Sequence, residues 1–100
     1  MLRITLNENA DAVVLKLEGR LTGPWAAELD RLWKEKAPDV AQKKLALDLR
    51  ETTFADASGI RILKEIYSQT GAALLSGTPW TQYLAEEVAS KHSEHAGTEV

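Results

Sequence analysis

The sequence predicts one α/β domain, in which helices pack on a mixed, mostly parallel sheet of about four to five strands in the order β-β-α-β-α-β-α. The chain has 100 residues, of which 44% are hydrophobic, enough for one core and too few for two. Its first twenty residues have the period of strands, and three later segments have the period of a helix. Strands that alternate with helices pair in parallel through right-handed crossovers.

The first twenty residues predict an antiparallel hairpin. Apolar side chains occupy alternate positions on both sides of a turn at 7–11: Leu2, Ile4, Leu6, Val13, Leu15 and Leu17. Asn7 and Asp11 bound a segment with turn-forming chemistry. We therefore expect an edge hairpin whose polar side chains face water.

The first helix is predicted after residues 22–24, where Thr22 or Gly23 can cap it and Pro24 suits its first turn. Apolar residues then share one face: Trp25, Leu29, Leu32 and Trp33. Tryptophans can form a ligand platform, but at helical spacing we expect them to pack in the core. The helix is predicted to end at Ala37-Pro38.

A strand, a loop and a second helix are predicted next. Leu45–Leu49 has the character of a short strand, and residues 50–56 are predicted to form a polar connection with Phe54 as its apolar anchor. Helical periodicity runs from Ser58 to about Thr70 and is expected to stop at Gly71.

The remaining residues predict one more strand and one more helix. Ala72–Leu75 is apolar, and the start signal at 77–79 precedes a third amphipathic segment that contains Trp80, Tyr83, Leu84 and Val88. Residues 90–100 have almost nothing to bury, so we expect a flexible tail after a domain at 1–89.

Composition excludes several classes of function. Twelve Lys and Arg against fifteen Asp and Glu give a net charge of -3, which offers no basic surface for a nucleic acid. No segment approaches the ~20 apolar residues of a membrane span, and no secretory signal follows Met1. The chain has no cysteine, hence no thiol nucleophile or disulfide. We expect a soluble, cytoplasmic protein.

No metal or cofactor is expected. His92 and His95 stand at helical spacing around Glu94, but two histidines are too few for a closed zinc site and the sequence places no third ligand.

The informative segment lies around Asp56, Ser58 and Gly59, where a predicted strand gives way to a helix. Open α/β sheets place ligands at this end of the strands. A helix N-terminus favours an anion, a serine hydroxyl can accept a phosphoryl group, and a glycine lets another protein approach the backbone. Simple capping by Asp56 or Ser58 is the competing interpretation, although it does not require both residues.

Residues 45–49, followed by Phe54-Ala55-Asp56-Ala57-Ser58-Gly59-Ile60, resemble the core of the STAS domain family, the sulfate-transporter and anti-sigma-factor-antagonist domain. Its members carry an apolar strand, a short polar loop and Asp-Ser-Ser-Gly at a helix start. Residues 14–21 resemble the family's second strand, and the likeness extends from Leu2 to about Ala89.

The resemblance implies roles for the residues of this motif. Ser58 matches the family's phosphorylatable serine, Asp56 the acidic residue before it, and Gly59 the glycine after it. Ala57 departs from the pattern, because many members have Ser or Thr there. The implied partner-binding residues are Asp56, Ala57, Ser58, Gly59 and Arg61.

The resemblance also implies a function without catalysis by this chain. An anti-sigma-factor antagonist docks on a kinase-like anti-sigma factor, and phosphorylation of Ser58 by that partner with ATP ends the docking. A second STAS role is an accessory subunit that docks on the ATP-binding subunit of a membrane transporter, with no phosphorylation cycle, and Ala57 favours it.

A small phosphotransfer or hydrolytic enzyme that uses Asp48, Asp56 or Ser58 is a third hypothesis. It lacks a base for the serine, because both histidines lie in the predicted tail. An aspartyl phosphoacceptor at Asp48 would need an acidic pair and a lysine, which the neighbouring strands do not supply.

Overall fold

The computed structural model describes residues 2–40 and 43–90. Strands and helices follow one another as β1 Leu2–Glu8, β2 Ala12–Leu21, α1 Gly23–Val40, β3 Lys44–Asp48, β4 Thr52–Ala55, α2 Ala57–Thr70, β5 Ala73–Leu75 and α3 Pro79–Ala89. The predicted α/β class is confirmed. Apart from Ser90, the predicted tail at 90–100 lies outside the described residues, and so do His92 and His95.

The described strands form a five-stranded mixed sheet. β1 and β2 make the predicted antiparallel hairpin, and β2, β3 and β5 run parallel in that order. Along β2, Val13, Leu15 and Leu17 are buried on the core side, whereas the residues between them are partly exposed. This alternation is the strand period that the sequence shows.

The strand β4 was not predicted, since residues 50–56 were expected to be a loop. β4 pairs in parallel with the end of β2, and the register shifts between Gly19 and Arg20. Gly19 has a φ of 106°, a conformation that glycine tolerates best. Thr52 secures the pairing, because its hydroxyl donates to the carbonyl of Leu17 at 2.9 Å.

The end of α1 was predicted wrongly. The helix continues through Pro38 to Val40, although the proline ring removes the N–H that would bond to the carbonyl of Lys34. Only two helical residues follow Pro38. The missing hydrogen bond therefore falls in the last turn, where losing it disrupts few other hydrogen bonds of the helix.

The starts of α2 and α3 follow the predicted capping chemistry. Asp56 caps α2, and α2 ends at Gly71 with a φ of 65°, as a left-handed C-terminal glycine should. Thr78 caps α3 with Pro79 directly after it.

The core lies between the sheet and the helices. Leu29 and Trp33 of α1, Leu63 and Ile66 of α2, and Leu84 of α3 are all at least 95% buried. α2 packs against both α1 and α3. The tryptophan face of α1 therefore packs in the core, as expected. None of the described helices combines the length and the apolar character that crossing a membrane requires.

Candidate functional site

All three helices begin at the same end of the sheet. α1 follows β2, α2 follows β4 and α3 follows β5, and these strands are parallel within the sheet. Their N-termini, with unpaired N–H groups and positive partial charge, are therefore collected at the carboxyl ends of the strands. The sequence motif at 56–61 lies at this end.

Asp56 joins the starts of two helices. Its Oδ1 accepts a hydrogen bond from the N–H of Gly59 in α2 at 2.9 Å, and its Oδ2 accepts one from the N–H of Gly23 in α1 at 3.0 Å. Its own N–H donates to the carbonyl of Leu21 at 3.1 Å. Asp56 is thus more than a cap for its own helix, because it also fixes the position of α1.

These bonds hold the carboxylate of Asp56 in its charged form. The N–H groups of Gly23 and Gly59 lower the pKa of Asp56 below its ordinary value of 3.8, because both donors favour the anion. The folded protein therefore binds the Asp56 proton less readily than the unfolded chain does. The stabilisation from Asp56 is present above the ordinary pKa and is lost as the pH falls through the lower, folded-state value.

Asp56→Asn is expected to lower the melting temperature at pH 7 by roughly 4–8 °C. One asparagine atom can still accept from Gly59, but the amide nitrogen would then face the N–H of Gly23. The difference from the parent protein should shrink as the pH falls below 3.8, because the parent carboxylate becomes protonated. Thermal unfolding across this pH range measures both effects.

Asp11→Asn is the matched control, because it removes one exposed carboxylate from the turn between β1 and β2. An unchanged melting temperature in Asp56→Asn at pH 7 would contradict the role of Asp56 as a double cap.

Ser58 is half-buried in the first turn of α2, two residues after the cap. Its hydroxyl has no hydrogen-bond partner among the described residues. It lines a groove of about 170 Å³, which we call the α1–α2 groove, together with Gly23, Ala26, Ala27, Asp30, Arg61 and Ile62. The Ser58 hydroxyl is therefore not engaged by the described residues, and α2 is capped by the side chain of Asp56.

Gly59 is buried against the end of β2. A Cβ atom at this position would lie 2.5 Å from the carbonyl oxygen of Leu21 and 2.8 Å from its Cγ. The absence of a side chain therefore has an internal cause, the close packing of α2 on β2. Close approach of a partner protein to the backbone of Gly59 stays a prediction.

Ala57 and Arg61 complete the predicted set. Both are exposed, and Arg61 lies one turn after Ser58 along α2. The structure thus brings Asp56, Ala57, Ser58 and Arg61 to one surface, with Gly59 beneath it. Sequence reasoning assigned Gly23 only to the start of α1 and gave Asp30 no role, and the fold brings both residues to this site.

Asp48 is not arranged as a phosphoacceptor. Asp48 is 3% exposed, and Arg50 donates from Nε to Oδ1 at 3.0 Å and from Nη2 to Oδ2 at 2.9 Å. The hydrogen bonds from Arg50 lower the pKa of Asp48 below its ordinary value. Both oxygens are occupied, which argues against the enzyme hypothesis at Asp48. Among the described residues, no three acidic or histidine side chains are grouped to hold a metal ion.

The chain was compared with family models, curated proteins and solved structures. The family model described as "STAS domain" matches residues 3–76. No curated protein matches the sequence.

Solved structures of similar fold include two anti-sigma factor antagonists. One, from Mycobacterium paratuberculosis, has a TM-score of 0.76 at 16% identity, with 93% of this chain and 82% of that chain covered. The other, SpoIIAA in its unphosphorylated form, has a TM-score of 0.64 at 13% identity, with 84% and 82% covered. An uncharacterised Shewanella loihica protein with a SpoIIAA-like fold has a TM-score of 0.60 at 14% identity, with 89% and 77% covered. At these identities the likeness establishes the fold.

Proposed function

Because this chain belongs to the STAS domain family, we propose that it acts as a cytoplasmic anti-sigma-factor antagonist. It docks on a kinase-like anti-sigma factor through Asp56, Ala57, Ser58, Gly59 and Arg61, and phosphorylation of Ser58 ends the docking. The observation that carries the proposal is the position of half-buried Ser58 at the N-terminus of α2, with a hydroxyl that no described residue engages.

The chemistry of the switch needs no catalytic group from this chain. The kinase partner supplies ATP and the base that removes the hydroxyl proton. Oγ of Ser58 forms a bond to the γ-phosphorus, the bond to the β-phosphate oxygen breaks, and ADP leaves. This chain contributes a hydroxyl that is held in one place by the first turn of a capped helix.

The phosphate changes the charge of the surface more than it changes the fold. It adds about -1.5 to -2 charges at pH 7, and the N–H groups at the start of α2 partly offset the repulsion from Asp56. At the helix starts, the backbone N–H groups of Gly59 and Gly23 donate to the Asp56 carboxylate. These bonds do not involve the Ser58 hydroxyl. We therefore expect the modified domain to keep its fold and to lose its partner.

Incubation with a kinase-like anti-sigma factor and ATP is expected to add one phosphate, and Ser58→Ala should abolish its addition. Ser68→Ala is the matched control, because Ser68 is an exposed serine of the same helix. Intact-mass and peptide mass spectrometry measure the number and position of the phosphates. A phosphate that maps to another residue would rule out the proposed switch.

A transporter accessory subunit is the second candidate, favoured by the exposed Ala57 in place of a Ser or Thr. In that role the same surface docks on an ATP-binding subunit and no phosphorylation occurs. Affinity purification from the source cell separates the two, since it recovers either an anti-sigma factor or a transporter ATP-binding subunit.

A further inference from the structure

The α1–α2 groove contains a carboxylate oxygen that lacks a hydrogen-bond donor. Oδ2 of Asp30 pairs with Lys34 at 3.2 Å, but Oδ1 of Asp30 is buried and has no partner among the described residues. Leaving a buried acceptor unsatisfied is unfavourable, so an unpaired oxygen in the groove that Ser58 also lines calls for an explanation.

A cation that could supply the missing donor lines the same groove. Arg61 is exposed, and its guanidinium makes no hydrogen bond or ion pair within the described part of the chain. It follows Ser58 by three residues on α2, and side chains at this spacing are neighbours on a helix surface, with Cβ atoms roughly 5–6 Å apart. Asp30 lies across the groove on α1.

We propose that Arg61 binds the phosphate on phosphorylated Ser58 and bridges it to Oδ1 of Asp30 across the α1–α2 groove. The inference rests on the proposed function in one respect, the choice of Ser58 as the modified residue. A guanidinium carries five N–H donors in a planar fork, so it can bind two phosphate oxygens and retain a donor for a carboxylate. The bridge gives the unpaired oxygen its donor.

The groove has the room that this arrangement needs. Its volume of about 170 Å³ is well above the roughly 10–15 Å³ that a single water molecule needs in a cavity, which leaves space for a phosphoryl group and the tip of an arginine. Asp56 is the other carboxylate beside Ser58, and backbone N–H groups already engage both of its oxygens. Asp30 is therefore the acceptor that Arg61 can satisfy.

The bridge would change the docking surface in two ways. It would withdraw the exposed positive charge of Arg61 from the surface at the moment when the phosphate adds negative charge. It would also tie α1 to α2, so that the modified fold gains a contact. Both effects would help a small domain to lose a partner without unfolding.

The experiment begins with the full chain carrying phosphoserine genetically encoded at position 58. Titration followed by ³¹P NMR gives the second pKa of the phosphate, which is near 6 in the absence of partners. Arg61→Gln is expected to raise this pKa by about half a unit or more, because a neighbouring cation favours the dianion. Arg20→Gln is the matched control, since Arg20 is an exposed arginine stacked over Phe54 at 4.8 Å. Equal pKa values in the two variants would overturn phosphate binding by Arg61.

The contact with Asp30 is tested by a double-mutant cycle on thermal unfolding. Arg61→Gln and Asp30→Asn should show coupling in the phosphorylated chain and little in the unmodified chain. Glu35→Gln replaces Asp30→Asn as the control, because it too removes a carboxylate of α1 that pairs with a basic residue of that helix. Coupling that is absent from the phosphorylated chain, or no larger than with Glu35→Gln, would overturn the bridge.

Failure of this inference can be told apart from failure of the proposed function. Encoded phosphoserine does not depend on a kinase, so the ³¹P titration decides the role of Arg61 even where no anti-sigma factor modifies Ser58. Conversely, loss of partner binding on phosphorylation in both the parent and Arg61→Gln proteins, with equal pKa values in Arg61→Gln and Arg20→Gln, would support the switch and exclude the bridge.

Discussion

Replacing Gly59 by alanine is expected to lower the free energy of unfolding by about 3 kcal/mol, at the upper end of the usual range for overpacking. The new Cβ would lie 2.5 Å from the backbone oxygen of Leu21. A backbone carbonyl in a paired strand cannot rotate away as a side chain can. The start of α2 must therefore shift from β2, and the bonds of Asp56 to Leu21 and Gly23 would be strained. Urea unfolding measures the loss.

Gly23→Ala is the control for the Gly59 substitution. Gly23 is also at a helix start, but a Cβ atom there would have nothing within 4 Å, so we expect a change below about 1 kcal/mol. Equal stability of the two variants would contradict the close packing of α2 on β2.

Ser58→Asp is expected to raise the dissociation constant for the kinase-like anti-sigma factor at least tenfold, or about 1.4 kcal/mol. The substitution places a negative charge at the centre of the proposed docking surface, where binding would have to desolvate it. The free energy of unfolding should change little, because the N–H groups at the start of α2 attract the new carboxylate while the Asp56 carboxylate repels it. Calorimetric titration and thermal unfolding measure the two properties separately.

Ser68→Asp controls for charge, since it adds the same group to an exposed position further along α2. Should Ser58→Asp bind its partner as tightly as Ser68→Asp does, the docking surface would have to lie elsewhere. Should Ser58→Asp unfold, lost affinity would report on stability instead.

The sequence predicted the helix ends that depend on residues close together in the chain. Asp56 and Thr78 stand directly before helices that they cap, and Gly71 ends α2, because capping depends on residues a few positions apart. β4 was not predicted, because it depends on pairing with a strand that is distant in the sequence. Its buried residues are the two at its ends, with Thr53 and Phe54 exposed between them, so no alternation marks it. It is a strand because the end of β2 lies beside it.

The features of the candidate site likewise separate into those predicted from neighbouring residues and those that depend on the fold. The sequence by itself determined the hairpin, the helix starts and the family motif with Ser58 after Asp56, because each is written in neighbouring residues. Only the tertiary structure decided that Asp56 also holds Gly23, and that Asp30 faces the groove beside Ser58. These partners are separated by 33 residues or belong to different helices, and the crossover connections of the sheet bring them together.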